Sequence, residues 1–397
     1  MAKINFRKAS MVFIFITITL DMIGIGLIIP TLPDIMRRFT TDANLVSQYF
    51  GFFISTYAAM QFLASPLLGV LSDMFGRRSI LLVSLLVAAM DYVLMAYAPS
   101  LPILFIGRVV AGLTGASMTV AMAYIADISD DKNRSQNFGM IGAAFGLGFI
   151  IGPALGGLIG HAGPQYPFLV AAGMNFLNFL FGLFVLPESL SPELRRKFSI
   201  SRINPFYALR KIFSNRSIFL MMLIYFLFQM AGQTHPSIWT LYTETRFGWT
   251  TTQVGLSLAL VGLLSAIAQG GLTRIIIPKL GEYKTVLYSA IGQAVCYFLY
   301  GLATEGWMMY AVLVLSFMFW VAPPALQSLL SKKTPSNEQG ELQGSLVGLS
   351  SLSAIMNPII STQLFSQVAL GAPYFFAALM SLLSFIILFQ FRNKVIG

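Results

Sequence analysis

Apolar stretches of about 20 residues recur along the whole chain, and this repetition constrains its fold more than any other feature. A helix needs about 20 mostly apolar residues to cross the hydrocarbon core of a bilayer. Of the 397 residues, 56% are hydrophobic and only 10% are charged. Twelve candidate spans lie at 11–33, 47–71, 79–98, 101–126, 137–160, 166–186, 217–243, 250–274, 284–303, 306–331, 340–365 and 372–392. The sequence therefore predicts an all-α polytopic membrane protein with twelve transmembrane helices.

The net charge of +10 follows the loops between these spans. If both termini are cytoplasmic, Arg37, Arg38 and Arg246 fall outside and Arg108 falls within the membrane, which leaves 21 of the 25 basic residues inside. That distribution is the positive-inside pattern, so we expect cytoplasmic termini. Nucleic-acid binding would instead need the basic residues on one folded surface, so we expect no nucleic-acid partner.

Several other classes of protein leave signatures that this chain lacks. The basic N-terminus and first apolar run resemble a secretory signal, but no small-residue cleavage site follows, so we expect an uncleaved first span. Cys296 is the only cysteine and the two histidines are scattered, which predicts no disulfide and no metal site. No nucleophile with a neighbouring base stands out, so we expect no enzymatic activity.

The chain divides at its longest polar segment. We predict an N-terminal six-helix half at 1–186, a basic cytoplasmic linker at 187–216 and a C-terminal six-helix half at 217–397. A constant offset of 205 residues aligns Gly76 with Gly281, Gly139 with Gly344, and Pro153 with Pro358. One offset at three separate places indicates duplication, and paired halves of this kind are typical of secondary transporters.

Two ionisable residues are predicted to lie at bilayer depth in the first half. Asp21 lies in the stretch TLDMIGIGLIIPTLP, without a basic residue nearby. An ionised Asp at that depth costs about 2.5–3.5 kcal/mol, so such a residue usually marks an ion, proton or substrate pathway. In the fourth span, Arg108 shares one helical face with Gly112, Gly115 and Thr119, and this face should point into the bundle. Arg108 is far from either helix end, which disfavours simple snorkelling to the surface.

The loop after the second span reads GVLSDMFGRR at 69–78. Its glycines permit a tight turn, and Asp73 with Arg77 can form a charge cluster that breaks when the cytoplasmic side opens. The predicted gating residues are Gly69, Asp73, Gly76, Arg77, Asp127 and Arg134. For Asp127 and Arg134 the alternative is ordinary loop charge. The loop resembles the signature loop of the major facilitator superfamily.

The fifth span carries a glycine at every fourth position from Gly148 to Gly160. The motif residues are Gly148, Gly152, Pro153, Gly156 and Gly157. Small residues at this spacing let two helices approach closely, and a proline bends the helix. The segment resembles the antiporter motif that marks proton-driven exporters within the superfamily. A purely structural helix seam would use the same residues.

Nearly the full chain resembles the tetracycline/proton antiporter branch of the drug:proton antiporters. The segments that carry this resemblance are LDMIGIGLIIPTLP, MDYVLMAY, GRVVAGLTGAS, TETRFGWT, GEYKTVL, APPALQSLLS and EQGELQGSL. The resemblance implies that Asp21, Asp91 and Gln61 lie in the transport path and that Arg108 assists proton transfer. Burial favours the protonated carboxyl, so at least one Asp is expected to carry the coupled proton. The proton gradient is the energy source, and no cofactor is implied.

The second half departs from that branch at two positions. Where tetracycline pumps carry a His in helix eight and an acid in helix nine, this chain has Ser265 and Gln293. Proton coupling is therefore expected in the first half, and the departure counts against tetracycline itself as the substrate. Polar residues that could line a substrate cavity or join helices are Gln61, Gln229, Gln233, His235, Gln269, Gln293, Gln327 and Asn357. Pro236 frees a backbone carbonyl that we expect to bond to His235.

We therefore predict a proton-coupled antiporter of the bacterial inner membrane that exports a small amphipathic molecule by alternating access, as a monomer surrounded by lipid. An exporter of an endogenous metabolite or siderophore is the alternative within the same fold. A non-transporting receptor or scaffold has no need of Asp21, Asp91 and Arg108 at bilayer depth. A passive channel fits duplicated halves poorly.

Overall fold

The computed structural model describes residues 2–130, 134–195, 216–334 and 339–392, and all regular elements in those ranges are helices. The α-helices described before residue 195 are α1 (Ala2–Ile28), α2 (Leu32–Arg37), α3 (Ala43–Phe75), α4 (Arg77–Ala96), α5 (Leu101–Gly115), α6 (Ser117–Ile128), α7 (Arg134–Gly160) and α8 (Tyr166–Val185). Those described after residue 216 are α9 (Arg216–Gly232), α10 (Thr234–Phe247), α11 (Thr251–Ile267), α12 (Thr273–Leu280), α13 (Glu282–Leu302), α14 (Gly306–Ser316), α15 (Ala322–Lys333), α16 (Gln339–Gln367) and α17 (Ala372–Gln390). The predicted all-α membrane fold is confirmed.

In the described part of the chain, eleven helical runs are long and apolar enough to cross a membrane. The remaining predicted span, 217–243, is divided between α9 and α10, which meet at Gln233. Pro236 explains the division, because it has no N–H to donate to the carbonyl of Gly232. The neighbouring backbone bonds persist, since Gln233 N donates to Gln229 O at 2.9 Å. The polypeptide therefore continues in a helical direction through the break.

Two positions that repeat at the offset of 205 have matching local structure. Gly76 precedes α4 with φ of 97°, and Gly281 precedes α13 with φ of 75°. Such positive φ values are strained for any residue with a side chain, so glycine is required at both turns. Pro153 and Pro358 likewise both lie inside long helices, α7 and α16.

The helices form two compact units. The first comprises Met1–Phe39, Thr56–Pro205 and Thr250–Gly262. Its core is built mainly from α1, α4, α6 and α7, where Phe13, Leu81, Tyr124 and Ala144 are almost completely buried. Most of the predicted linker, residues 196–215, lies outside the described residues.

The second unit comprises Thr40–Ser55, Phe206–Trp249 and Leu263–Gly397. Its core is built from α9, α13, α15, α16 and α17, and includes Met221, Val286, Leu326, Leu346 and Leu388. Short segments of α3 and α11 thus group with residues from the opposite half of the sequence. The division into halves at 1–186 and 217–397 stays a prediction.

Candidate functional site

An open cavity lies inside the first unit, among α1, α3, α4, α5, α6 and α8. Its polar lining residues are Asp21, Tyr57, Ser84, Asp91, Tyr92, Thr114, Ser117 and Asn175. Apolar side chains, including Met22 and Met118, complete the wall. The structure therefore brings together the two aspartates that the sequence singles out, although they are 70 positions apart. A concave site with an apolar wall and a few convergent polar groups is typical of small-molecule binding.

Asp91 is the more deeply placed of the two carboxyls. It is only 5% exposed, and its Oδ1 atom has no hydrogen-bond partner. Gly107 of α5 packs directly against it, since a Cβ added there would lie 3.0 Å from Asp91 Oδ1. Asp21 on α1 is half-buried. A buried carboxyl oxygen without a hydrogen-bond donor costs free energy, so Asp91 is either protonated or requires a donor that the protein does not supply.

Arg108 is not among the residues that line this cavity, although Ala111 and Thr114 of the same helix are. Its side chain is 5% exposed, and the guanidinium carbon lies 4.3 Å from the centroid of the Tyr57 ring. Gly112 allows α3 to come this close, because a Cβ there would lie 2.7 Å from Tyr57 O. Gln61, one turn further along α3, donates through Nε2 to Gly115 O at 3.1 Å. The small-residue face of the fourth span therefore packs onto α3, and Arg108 on that face contacts the ring of Tyr57.

Six polar lining residues were missed by the sequence analysis, namely Tyr57, Ser84, Tyr92, Thr114, Ser117 and Asn175. Asn175 is 2% exposed and donates through Nδ2 to Ala171 O at 2.9 Å. Tyr92 packs edge-on against Phe168. Asn175 could have been found as a buried amide within an apolar span, whereas tyrosines in membrane helices give no comparable signal.

The glycines of the fifth span form a close seam with α1, the helix that carries Asp21. A Cβ on Gly152 would lie 2.8 Å from Ile23 O and 2.9 Å from Gly26 Cα. Gly148 and Gly156 pack as closely against α1, Gly148 against Met22 and Gly156 against Leu27. Pro153 lies in the same seam, because its Cδ atom would be 2.7 Å from a Cβ on Gly26.

Gly157 faces a different helix. A Cβ on Gly157 would lie 2.7 Å from Thr251 O and 3.0 Å from Gly255 Cα, both in the first turns of α11. The motif therefore presents small residues to two neighbours at once. These contacts join backbone to backbone, so no side-chain movement can make room for a larger residue.

The residues predicted to form a cytoplasmic gate also meet. Arg77 pairs with Asp73 at 2.7 Å and with Asp127 at 3.3 Å. Arg77 also donates to Ser72 Oγ at 2.5 Å. Gly69 lies beside Thr119 on the same side of α3. The side chain of Arg134 lies outside the described residues. The role of this cluster as a gate stays a prediction.

Glu188, which directly follows the sixth span, completes the cluster and was not predicted. Its Oε1 atom accepts hydrogen bonds from Arg77 N at 2.8 Å, Ser189 N at 3.0 Å and Leu190 N at 3.1 Å. A carboxylate at the first turn of α4 is stabilised by the exposed amides and dipole of that helix. Ser189 Oγ donates to Asp127 Oδ2 at 3.0 Å, which ties the same segment to the ion pair.

The polar residues predicted in the second half are dispersed. Gln229 donates to Ser350 Oγ at 2.6 Å, and Gln293 donates to Phe319 O at 2.9 Å. Gln269 and Gln327 are exposed, and Gln233 is half-buried at the junction of α9 and α10. Gln269 lies in a π-helical segment, Ala268–Leu272, that separates α11 from α12. Their assignment to substrate binding stays a prediction.

Asn357 and His235 differ in bonding, although Asn357 bonds to Thr234, the residue before His235. Asn357 donates to Met230 O at 2.6 Å and to Thr234 Oγ1 at 3.1 Å. His235 is 9% exposed, and neither ring nitrogen has a hydrogen-bond partner. The expectation that a carbonyl freed by Pro236 bonds to His235 is therefore wrong. Aromatic rings surround the imidazole instead, and those of Trp239, Tyr297, Tyr300 and Tyr374 lie 4.8–5.8 Å from it, centroid to centroid.

An all-helical, multi-span chain with two carboxyls in a cavity among its helices is typical of a secondary transporter. Residues 14–358 match the model of the Major Facilitator Superfamily. The chain belongs to that superfamily and is a drug:proton antiporter within it. Its apolar helices and the bacterial tetracycline resistance proteins among its relatives support a multi-pass protein of the bacterial inner membrane.

Relatives of this chain agree with its assignment to the drug:proton antiporters. The class C tetracycline resistance protein of Escherichia coli is 41% identical over 91% of this chain and 90% of its own length. The class G tetracycline resistance protein of Vibrio anguillarum is 40% identical over 91% of this chain and 92% of its own length. The predicted resemblance to tetracycline/proton antiporters is confirmed. Among solved structures, a D-xylose-proton symporter shares the fold with a TM-score of 0.74, covering 96% of this chain and 97% of that one at 18% identity.

Proposed function

We propose that Asp21 and Asp91 carry the coupled proton of this exporter and that the substrate occupies the cavity they line. The observation that carries the proposal is the Asp91 carboxyl, which is 5% exposed in an open cavity and has an oxygen without a hydrogen-bond partner. Burial favours the neutral form of a carboxyl, and access to water favours the charged form. A change in access to the cavity therefore drives proton uptake on one side of the membrane and release on the other.

Competition for the same carboxyls couples the two fluxes. Protonation removes the charge that holds a substrate in the cavity, so a proton entering from outside displaces the substrate there. Arg108, which packs against the ring of Tyr57, assists the proton transfer in this proposal. Export is supported by the glycine motif of α7, and two cytoplasmic termini are supported by the basic residues of the loops. A monomeric state completes the proposal.

The substrate class is a small amphipathic drug. The relatives are tetracycline resistance proteins, yet Gln293 here has a neutral amide that donates to Phe319 O, and Ser265 is half-buried. This second half therefore offers no carboxylate or imidazole at the two positions expected of a tetracycline pump. An endogenous metabolite or siderophore is the second candidate, and the same departure favours it.

The test is growth inhibition in a drug-hypersensitive bacterium that lacks its main efflux pumps. The chain and its Asp21→Asn and Asp91→Asn variants are expressed at matched membrane abundance against tetracyclines, other amphipathic drugs and iron chelators. We expect protection only from the unmodified chain, with each variant losing about tenfold or more in proton-driven export, because an amide cannot exchange a proton. Export at the unmodified rate by both variants would exclude these two carboxyls as proton carriers.

A further inference from the structure

We propose that residues 268–272 form a hinge in the eighth span, at which the two parts of that helix bend relative to each other during transport. The span runs from Thr251 to Leu280 and consists of α11, the π-helical segment Ala268–Leu272 and α12. The segment is not among the residues that line the cavity of the first unit. The hinge is therefore independent of which carboxyl carries the proton.

The backbone bonds of the segment are those of a π-helix. The N–H of Thr273 donates to Ala268 O, five residues before it, and the Thr273 hydroxyl donates to Gln269 O at 2.5 Å. In an α-helix, Gln269 O would accept from the N–H of Thr273. The hydroxyl therefore occupies the acceptor of the α-helical bond, and a change of partner at Thr273 converts this turn between two helical forms.

Two consecutive glycines weaken the same turn. Gly270 and Gly271 are exposed, and nothing lies within 4 Å of a Cβ added to either one. Close packing therefore does not explain glycine here, in contrast to Gly152 of α7. Glycine disfavours a regular helix because its backbone is free, and sharp kinks in helices occur at π-bulges. The turn can bend without disturbing a packing contact of either glycine.

The sequence repeat places a second weak point at the corresponding position of the first half. At the offset of 205, Gly271 corresponds to Pro66, which lies inside α3. A proline removes one backbone bond and kinks the helix that contains it. Each half therefore carries a weakened turn at the same place in its second span, although the residues that weaken it differ.

Both of these helices also divide between the two compact units. The first part of α11, up to Gly262, belongs to the first unit, and the residues from Leu263 onward belong to the second. Gly262 packs against Phe149 O of α7, which would lie 2.9 Å from an added Cβ. In α3 the change of unit lies just before Thr56. A helix that belongs to two units bends when they move, and residues 268–272 are the first weakened turn after the change of unit in α11.

Hydrogen–deuterium exchange of the purified full chain in lipid nanodiscs tests the hinge without drug or proton gradient. The double variant Gly270→Ala with Gly271→Ala fits the open space and favours a regular helix. We expect exchange at residues 268–273, relative to the intrinsic rate of each sequence, to slow by about tenfold at an unchanged or higher unfolding temperature. Gly173→Ala in α8 is the matched control, because Gly173 is also exposed with nothing near its added Cβ. Equal exchange in the unmodified chain and the double variant would overturn the proposal.

Transport shows whether the hinge is used. Proton-driven uptake of tetracycline and of ethidium into inverted membrane vesicles measures export. We expect the double variant to lower the maximal rate by about tenfold with little change in the half-saturating drug concentration, because a stiffer turn slows the conformational step without altering drug contacts. Gly173→Ala should transport at the unmodified rate. An unchanged maximal rate in a double variant whose exchange has slowed would contradict the hinge.

Substitutions at Thr273 test the hydroxyl and leave both glycines in place. Thr273→Ser keeps the donor to Gln269 O and should keep exchange and transport near the unmodified values. Thr273→Val has a similar shape but no hydroxyl, so Gln269 O is left to the backbone N–H and the α-helical form is favoured. We expect Thr273→Val to slow exchange and lower the maximal rate, as the double glycine variant does. Equal behaviour of the Ser and Val variants would refute the change of partner at Thr273.

Two results separate this proposal from the proposed function. Slowed exchange in the double variant together with full export by Asp21→Asn and Asp91→Asn would refute only the proton assignment. An unmodified chain that transports neither drug would point to the metabolite or siderophore alternative, and the exchange measurement would still decide the hinge, because it needs no substrate.

Discussion

Helices α7 and α16 occupy corresponding places in the two halves of the sequence, yet they contact their neighbours in different ways. Pro153 of α7 and Pro358 of α16 are related by the offset of 205. At the same offset, Gly152 corresponds to Asn357 and Gly156 to Ser361. The glycines of α7 place its backbone against that of α1. In α16, Asn357 bonds to Met230 O and Thr234 Oγ1, and Ser361 donates to Asn357 Oδ1 at 2.9 Å.

The two helices illustrate two ways to hold membrane helices together. Both are needed because the surrounding lipid leaves no hydrophobic driving force for helix association. Close packing of backbones depends on shape alone and rejects any added atom. Hydrogen bonds between side chains tolerate small displacements, and each contributes about 0.6 kcal/mol on average in a membrane protein. The rigid seam lies in α1 beside Asp21, so the helix carrying a proposed proton site is held by contacts that do not titrate.

The loops that contain Gly76 and Gly281 extend the comparison, and a substitution in the first of them is expected to have the largest effect on transport. Arg77 after Gly76 is held by Asp73 and Asp127, and Arg77 has only 10% of its side chain exposed. Asp73→Ala leaves the guanidinium without one carboxylate in a buried cluster, so we expect turnover to be abolished while membrane abundance stays normal. Transport assays with quantified protein check this.

The matched control is Lys332→Ala in the second half. Lys332 pairs with Glu282, the residue after Gly281, but its side chain is 64% exposed. Exposed pairs contribute about 1 kcal/mol or less, so transport should continue. Retained transport in Asp73→Ala, or equal loss in Lys332→Ala, would remove the gating assignment.

Gly152→Ala should have the next largest effect. The new Cβ would lie 2.8 Å from Ile23 O, and backbone atoms on both sides cannot rotate away. Overpacking of this kind costs about 1–3 kcal/mol, so we expect a lower unfolding temperature and a lower yield of folded protein. Thermal unfolding in detergent measures it. Gly142→Ala on the same helix is the control, because nothing lies within 4 Å of its added Cβ. Equal unfolding temperatures for the two variants would contradict the seam.

Asn357→Ala should have the smallest effect of the three. It removes two hydrogen bonds to α9 and α10 and the bond that Ser361 donates, with an expected loss of about 1–2 kcal/mol at the membrane average. The same thermal unfolding assay applies, together with the substrate concentration for half-maximal transport. A change in that concentration at unchanged stability would place Asn357 in substrate binding instead of in helix packing.

The spans could be predicted from the sequence because length and hydropathy decide what crosses a membrane. The predicted first span, for example, ends at Pro33, and the helical run ends at Arg37. The junction at Gln233 was missed, since a lost backbone bond leaves the mean hydropathy of the segment unchanged. Asp21 and Asp91 could be found because a carboxyl in an apolar span is unusual.

Other parts of the site depend on which residues meet in space. Tyr57 is unremarkable in sequence, and its place in the cavity wall and its contact with Arg108 are visible only in the structure. Glu188 follows the sixth span in what reads as a linker, and no local pattern connects it to Arg77. The aromatic surroundings of His235 come from α10, α13 and α17, so the sequence around His235 does not predict them.

The bond from Arg77 N to Glu188 joins residues 111 positions apart. During synthesis, α4 therefore enters the membrane well before its capping carboxylate has been made. The first backbone amides of α4 lack this acceptor until the sixth span has emerged from the ribosome, since domains assemble as their segments appear. The turn between the second and third spans therefore reaches its final hydrogen bonding only after the last helix of the first half has been synthesised.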